Sequence, residues 1–211
     1  MASRVCPGHV RKAPQERRAE IGAEAASIAP NEGLEPLTRR AVAERLGVRP
    51  GLITHYFPAA DDLVVKAFVV AVSGERERLF PGGGAPMQRL ALLVARAQSE
   101  DARTLARLWL NARHLSRFRP LLAESLEGQE ALDRERLTAL IDEGADAGVF
   151  HVDDPFAACV RILVAVDGLG AYVNNVGSFD VDAYTNFVAD TAEWALGLAP
   201  GELREAISAM G

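Results

Sequence analysis

The sequence predicts an all-α protein, with a small three-helix head followed by a larger helical bundle. Apolar residues recur at helical spacing through most of the chain. The only short β-like stretch, GVFHV at 148–152, sits between two helical segments. A Gly/Pro cluster, PGGGAP at 81–86, has no bulky side chain to pack and separates the two helical regions.

The first helix is expected from residue 14 to about 29. There PQERRAEIGAEAASIA puts Ala19, Ile21, Ala25 and Ile28 near one face, and Pro14 suits a first turn. Breakers follow at 31–36. The run TRRAVAERLG then reads as a second helix of about eight residues, with Thr38 as N-cap and Gly47 as its left-handed terminal residue. Val48 and Arg49 make a turn, Pro50 is preorganised to open a third short helix over 51–57, and Pro58 stops it. Asp61 and Asp62 favour the N-terminal dipole of a longer fourth helix, DDLVVKAFVVAVSGERERL. Past the linker come six helical segments: MQRLALLVARAQS, DARTLARLWLNARHLSR, PLLAESLEGQEALDRERLTALIDEGADA ending near Gly148, DPFAACVRILVAVDGLGAYVNN, VDAYTNFVADTAEWALGL and GELREAISAM. The expected organisation is a disordered basic leader at 1–13, the three-helix unit at 14–58, a connecting helix at 59–80, the linker at 81–86 and the bundle at 87–211.

Composition narrows the function classes. An apolar content of 49% over 211 residues is ample for a buried core. Cys6 and Cys159 lie far apart with no CxxC or Cys/His cluster, which argues against a disulfide framework or zinc site and for a reducing cytosol. None of His9, His55, His114 and His151 is four residues from another, so no metal site is expected. There is no GxSxG elbow and no Gly-rich phosphate loop after a strand, so neither an enzyme nor a cofactor is expected. The longest apolar candidate for a membrane span, VRILVAVDGLGAYV, carries Arg161 and Asp167, and the leader lacks an apolar segment. A cytoplasmic protein with no membrane span is expected.

Net charge is −6, yet residues 1–58 hold nine Lys+Arg against six Asp+Glu, leaving +3, and the remainder carries −9. The head is thus the part suited to a polyanion. Its stretch ERLGVRPGLITHYFPAADDL at 44–63 has the form of a helix-turn-helix, in which a second helix can lie in a DNA major groove. Gly47 lets the chain reverse, Val48 fills the angle between the helices, and Ala43, Leu46, Ile53 and Phe57 form the shared core. Arg49, Leu52, Thr54, His55 and Tyr56 then face outward, with chemistry suited to phosphates, base edges and a thymine methyl. The same spacing also fits a helical hairpin packed in an ordinary core.

The run from Thr38 through Val42, Ala43, Leu46, Gly47, Val48, Gly51, Leu52, Ile53, Tyr56 and Phe57 to Leu63 resembles the DNA-binding domain of TetR-family transcriptional regulators. GLITHYF is similar to the subgroup that includes choline-responsive repressors of betaine synthesis. The resemblance covers about residues 14–70. Past the linker RLWLNAR, ALIDEGADAGVF and AVDGLGAYV resemble that subgroup's ligand-binding domain more weakly. It implies phosphate contacts from Thr38 and Tyr56, further base or backbone contacts from Arg49, Leu52, Thr54 and His55, and a C-terminal bundle that dimerises. Two departures stand out. Arg49 stands where members commonly carry a Ser or Thr that caps the helix. Ala60 stands where they commonly carry Lys, which shifts phosphate binding toward Arg39, Arg40 or the leader and first helix (Arg11, Lys12, Arg17, Arg18).

In the bundle Trp109, His114, Phe118, Asp167 and Tyr172 are candidates for an effector cavity, although aromatics at helical spacing are more often plain core. The helices at 155–175 and 181–197 carry few charges. Their Ala158, Ile162, Ala165, Leu169, Phe187 and Ala195 fit either a homodimer contact or burial inside one chain. The expected function is a dimeric repressor on a palindromic double-stranded operator, released by a small-molecule effector. The rival is a helical ligand- or partner-binding protein with weakened DNA contacts.

Overall fold

A computed structural model describes residues 12–174 and 182–210. It contains ten α-helices and, among the described residues, no strand: α1 Pro14–Glu32, α2 Arg39–Leu46, α3 Pro50–Tyr56, α4 Ala60–Leu79, α5 Pro86–Ala97, α6 Glu100–Ser116, α7 Pro120–Asp146, α8 Pro155–Val173, α9 Asp182–Leu196 and α10 Glu202–Ser208. The basic leader expected at 1–13 lies almost wholly outside the described residues.

Most boundaries follow from local chemistry. The Ala13 amide donates to Glu16 at 3.0 Å, tying the first turn of α1. That helix continues three residues beyond the expected end, through Pro30. The proline gives up one backbone bond, but Ile28 and Ala29 are buried and the Gly33 amide reaches the Ala29 carbonyl at 2.9 Å, so the last turn is held from both sides. Opposite it, α1 and α4 pack closely at Gly22, where an added Cβ would lie 2.9 Å from the Lys66 stem.

Two apolar cores result. One joins α1–α4 through Ile21, Ile53, Phe57, Leu63 and Phe68, and it also takes in Leu108, Ala112 and Leu115 of α6 and Leu122 and Leu126 of α7. The other is built from α5, the C-terminal half of α7, and α8–α10, with Leu90, Leu140, Ile162 and Leu196 among its members. Helix α6 therefore lends one face to the head core. Asn111 on α6 reinforces this: its Oδ1 accepts the Leu34 amide at 2.7 Å and its Nδ2 donates to Glu35 at 3.3 Å, gripping the α1–α2 loop.

The GVFHV stretch connects α7 to α8 as expected. Gly148 takes a left-handed φ of 69°, and Phe150 folds back over Gly144, where any Cβ would meet its ring. His151 donates its amide to Leu196 at 2.8 Å. Helix α8 differs from the expectation in one respect: its length and composition would allow it to cross a bilayer. In the fold it packs Ala158, Cys159, Ile162, Ala165 and Leu169 against the bundle, and Asp167 pairs with Arg113 at 2.7 Å.

Candidate nucleic-acid interface and bundle cavity

The head presents a helix-turn-helix made of α2 and α3. Thr38 Oγ1 accepts the Ala41 amide at 3.1 Å, so this residue caps α2. Gly47 ends α2 at φ 64°, and the Val48 amide returns to Ala43 at 2.9 Å, closing the turn. Helix α3 opens at Arg49, whose side chain makes no cap bond, and Pro50 supplies the first helical position. Its inward residues, Ile53 and Phe57, are fully buried.

The opposite side of α3 is open. Arg49, Thr54 and His55 are exposed, and Leu52 and Tyr56 are half-buried. Thr54 Oγ1 donates to the Pro50 carbonyl at 3.2 Å, leaving oxygen lone pairs and the methyl outward. The His55 and Tyr56 rings meet edge to face at 5.1 Å. Thr38 is exposed at one end of this surface, with Arg39 half-buried beside it. Among the described residues neither Arg39 nor Arg49 has an ion pair, whereas Arg40 pairs with Glu44 at 2.9 Å and Arg45 with Glu32 at 2.5 Å.

By sequence Arg18 falls among the basic residues expected to take up phosphate contacts. In the fold Arg18 donates to the Tyr56 carbonyl at 2.5 Å and lies 4.4 Å over the Phe57 ring. A cation at the C-terminal end of α3 opposes that helix's negative pole and fixes its last turn. Such a contact joins residues far apart in sequence, so no local pattern signals it.

A cavity of about 370 Å³ lies between α4–α9 and opens where Val160, Val164 and Tyr184 are exposed. Trp109 and Asp167 lie in its wall. His114 and Phe118 instead meet edge to face at 5.8 Å, with Phe118 72% exposed, and Tyr172 sits beside Tyr184 at 5.7 Å. Of these three, none lines the cavity. The wall also contains charged residues that no motif in the sequence marks. Arg113 bridges Glu130 at 3.1 Å and Asp167 at 2.7 Å and lies 5.5 Å over the Trp109 ring. Asp133 pairs with the buried Arg76, which also donates to Gln129. Burial pushes the Asp133 carboxyl above its ordinary range despite Arg76. Burial does the same to Asp167, Arg113 opposes it, and Glu130 adds to it. Asp167 is nonetheless 46% accessible.

For the apolar residues of α8 and α9 that fitted either a homodimer contact or burial inside one chain, the fold takes burial in all but one. Ala158, Ile162, Ala165, Leu169 and Ala195 are buried within the chain, while Phe187 remains exposed. The outward face carries Phe156, Val160, Val164, Tyr184, Phe187 and Trp194, with Val164 63% and Trp194 69% exposed.

No protein-family model matches the chain. It is 35% identical over 88 residues to the HTH-type transcriptional repressor KstR of Mycolicibacterium smegmatis; that stretch is 40% of this chain and 43% of the repressor's length. A TetR transcription regulator from Haloarcula marismortui superposes with a TM-score of 0.72 at 19% identity, over 87% of this chain and 97% of that one. A transcriptional regulator from Saccharomonospora viridis in complex with choline superposes with a TM-score of 0.71 at 22% identity, over 85% and 96%. The chain has the all-helical fold of TetR-type regulators, and the proteins named here are regulators of transcription rather than enzymes.

Proposed function

We propose that this protein is a TetR-family transcriptional repressor that binds a palindromic operator as a homodimer, lets go when a small molecule enters the bundle cavity, and works in the cytoplasm. The observation that carries the proposal is the exposure of one side of α3 while its other side is locked into the head core. A helix held that way can enter a major groove without unfolding anything. Thr38, Arg39 and Tyr56 would hold phosphates, with Arg49, Leu52, Thr54 and His55 at base edges and flanking backbone.

A symmetric pair of heads needs a self-complementary contact. The outward stripe of α8 and α9 supplies one, since Phe156, Val164, Phe187 and Trp194 would otherwise stay in water. Half-sites would then lie about one turn of DNA apart, roughly 34 to 36 Å. The effector site is the cavity, and resemblance to choline-responsive repressors, together with the choline-bound neighbour, supports a cationic effector.

Titration of a fluorescent duplex from the protein's own upstream region tests the proposal. Binding should weaken with salt along a straight log–log line. No binding at low salt to that region or to random DNA would defeat it. A second possibility, a ligand- or partner-binding protein with weakened DNA contacts, draws on the exposed Ala60 at the start of α4 and on the pairing of Arg40 and Arg45 with acids. Elution from heparin at very low salt would favour it.

A further inference from the structure

Glycine lowers the stability of a helix relative to alanine, so a helical glycine calls for a reason. At Gly22, Gly144 and Gly170 the reason is internal. A Cβ on Gly22 would lie 2.9 Å from the Lys66 stem and one on Gly170 2.8 Å from Ala106, while one on Gly144 would collide with the Phe150 ring. Gly51, in α3, is different. Beyond its own stretch of helix no atom of the described residues lies within 4 Å of the place its Cβ would take. Backbone geometry does not demand it either, since the glycines with positive φ do not include Gly51. In a helix of only seven residues it weakens the fold with no return inside the chain.

The position of Gly51 supplies a reason from outside. At 3.6 residues per turn it stands about 200° around α3 from the buried Ile53, on the side turned fully outward and one turn before His55. Arg49, Leu52 and Thr54 flank it. In a helix-turn-helix the N-terminal residues of the second helix reach the base edges, so position 51 comes to the floor of the groove ahead of His55 and Tyr56. A bare Cα there lets the backbone of α3 sit closer to the bases than any side chain would allow. The other uncrowded helical glycines, Gly74, Gly128 and Gly168, belong to α4, α7 and α8, outside the helix-turn-helix.

We propose that Gly51 is the point of closest approach between the protein and its operator: the floor of the major groove packs against the α3 backbone at this residue, and a side chain at 51 would hold the duplex away from Leu52, Thr54 and His55. This rests on the regulator reading given above, and adds to it a residue that acts by leaving room.

Gly51→Ala and Gly51→Leu in the full chain test it through two readouts that should move in opposite directions. The thermal unfolding midpoint should rise in both, because both residues favour a helix over glycine and meet open space. Affinity for the upstream duplex should fall by about tenfold with alanine and further with leucine, as overfilling a fitted contact requires. The slope of log Kd against log salt should stay as in the parent, because no charge is removed. Random DNA, held through phosphates, should lose less than about twofold. Gly74→Ala and Gly128→Ala, equally uncrowded, should raise the midpoint and leave operator affinity unchanged. Unchanged or higher operator affinity in Gly51→Ala would overturn the inference. So would an equal loss on random DNA, an equal loss from Gly74→Ala or Gly128→Ala, or a lowered midpoint in Gly51→Ala. A parent protein that binds neither duplex would instead defeat the regulator reading itself, and this inference with it.

Discussion

Thr38 has a structural role besides the phosphate contact proposed for it. Its hydroxyl caps α2, so Thr38→Ala should cost about 1 kcal/mol of stability in urea unfolding. Tyr56→Phe keeps the ring and removes only the hydroxyl. It should leave stability unchanged and weaken DNA binding by about 1 kcal/mol on every sequence. Changes at Leu52 or Thr54 should instead alter which operator variants are preferred, measured by competition between duplexes. Arg18 belongs to a different class, because it holds the end of α3 from behind. Arg18→Gln should lower operator affinity while the slope of log Kd against log salt stays as in the parent; a slope smaller by about one would identify a phosphate contact instead.

Among the helices, α4 and α7 are joined by a buried charge. Arg76 is nearly inaccessible and reaches Asp133, the Gln129 side chain and the Gln129 carbonyl. Asp133→Ala leaves that guanidinium without a counter-charge, and the expected loss is about 3 kcal/mol in denaturant unfolding, whereas removing the exposed Arg40–Glu44 pair should leave the unfolding midpoint almost unchanged. Helix α10 is held in a comparable way: the buried Glu193 accepts the amides of Gly201 at 2.8 Å and Leu203 at 2.9 Å, filling the role of an N-terminal cap from a neighbouring helix. Helix α6 connects the two regions of the molecule, since Asn111 grips the α1–α2 loop on one side and Arg113 faces the cavity on another.

At the scale of the molecule, the apolar outward face of α8 and α9 is the surface proposed to join two copies. Trp194→Asp should convert the proposed dimer into a monomer in sedimentation velocity, because a charge replaces the large, 69% exposed apolar side chain on that face. If the two heads act together, the same variant should also weaken operator binding. A Trp194→Asp protein that remains dimeric would move the interface elsewhere.

The sequence by itself determined the all-helical class, the order of the helices and the form of the α2–α3 turn. Those features rest on local chemistry: the Thr38 cap, left-handed Gly47, Pro50 at a first turn, and apolar spacing that repeats with the helix. Tertiary structure alone decided which apolar face of α8 turns inward, because Ala158 and Ile162 fit an inner face and a dimer face equally well by spacing. It likewise decided that Trp109 and Asp167 share a cavity with Arg113, Glu130 and Asp133, and that Arg18 closes the last turn of α3. These arrangements depend on where separate helices cross. Crossing is set by the packing of whole faces, which no single stretch of the chain encodes.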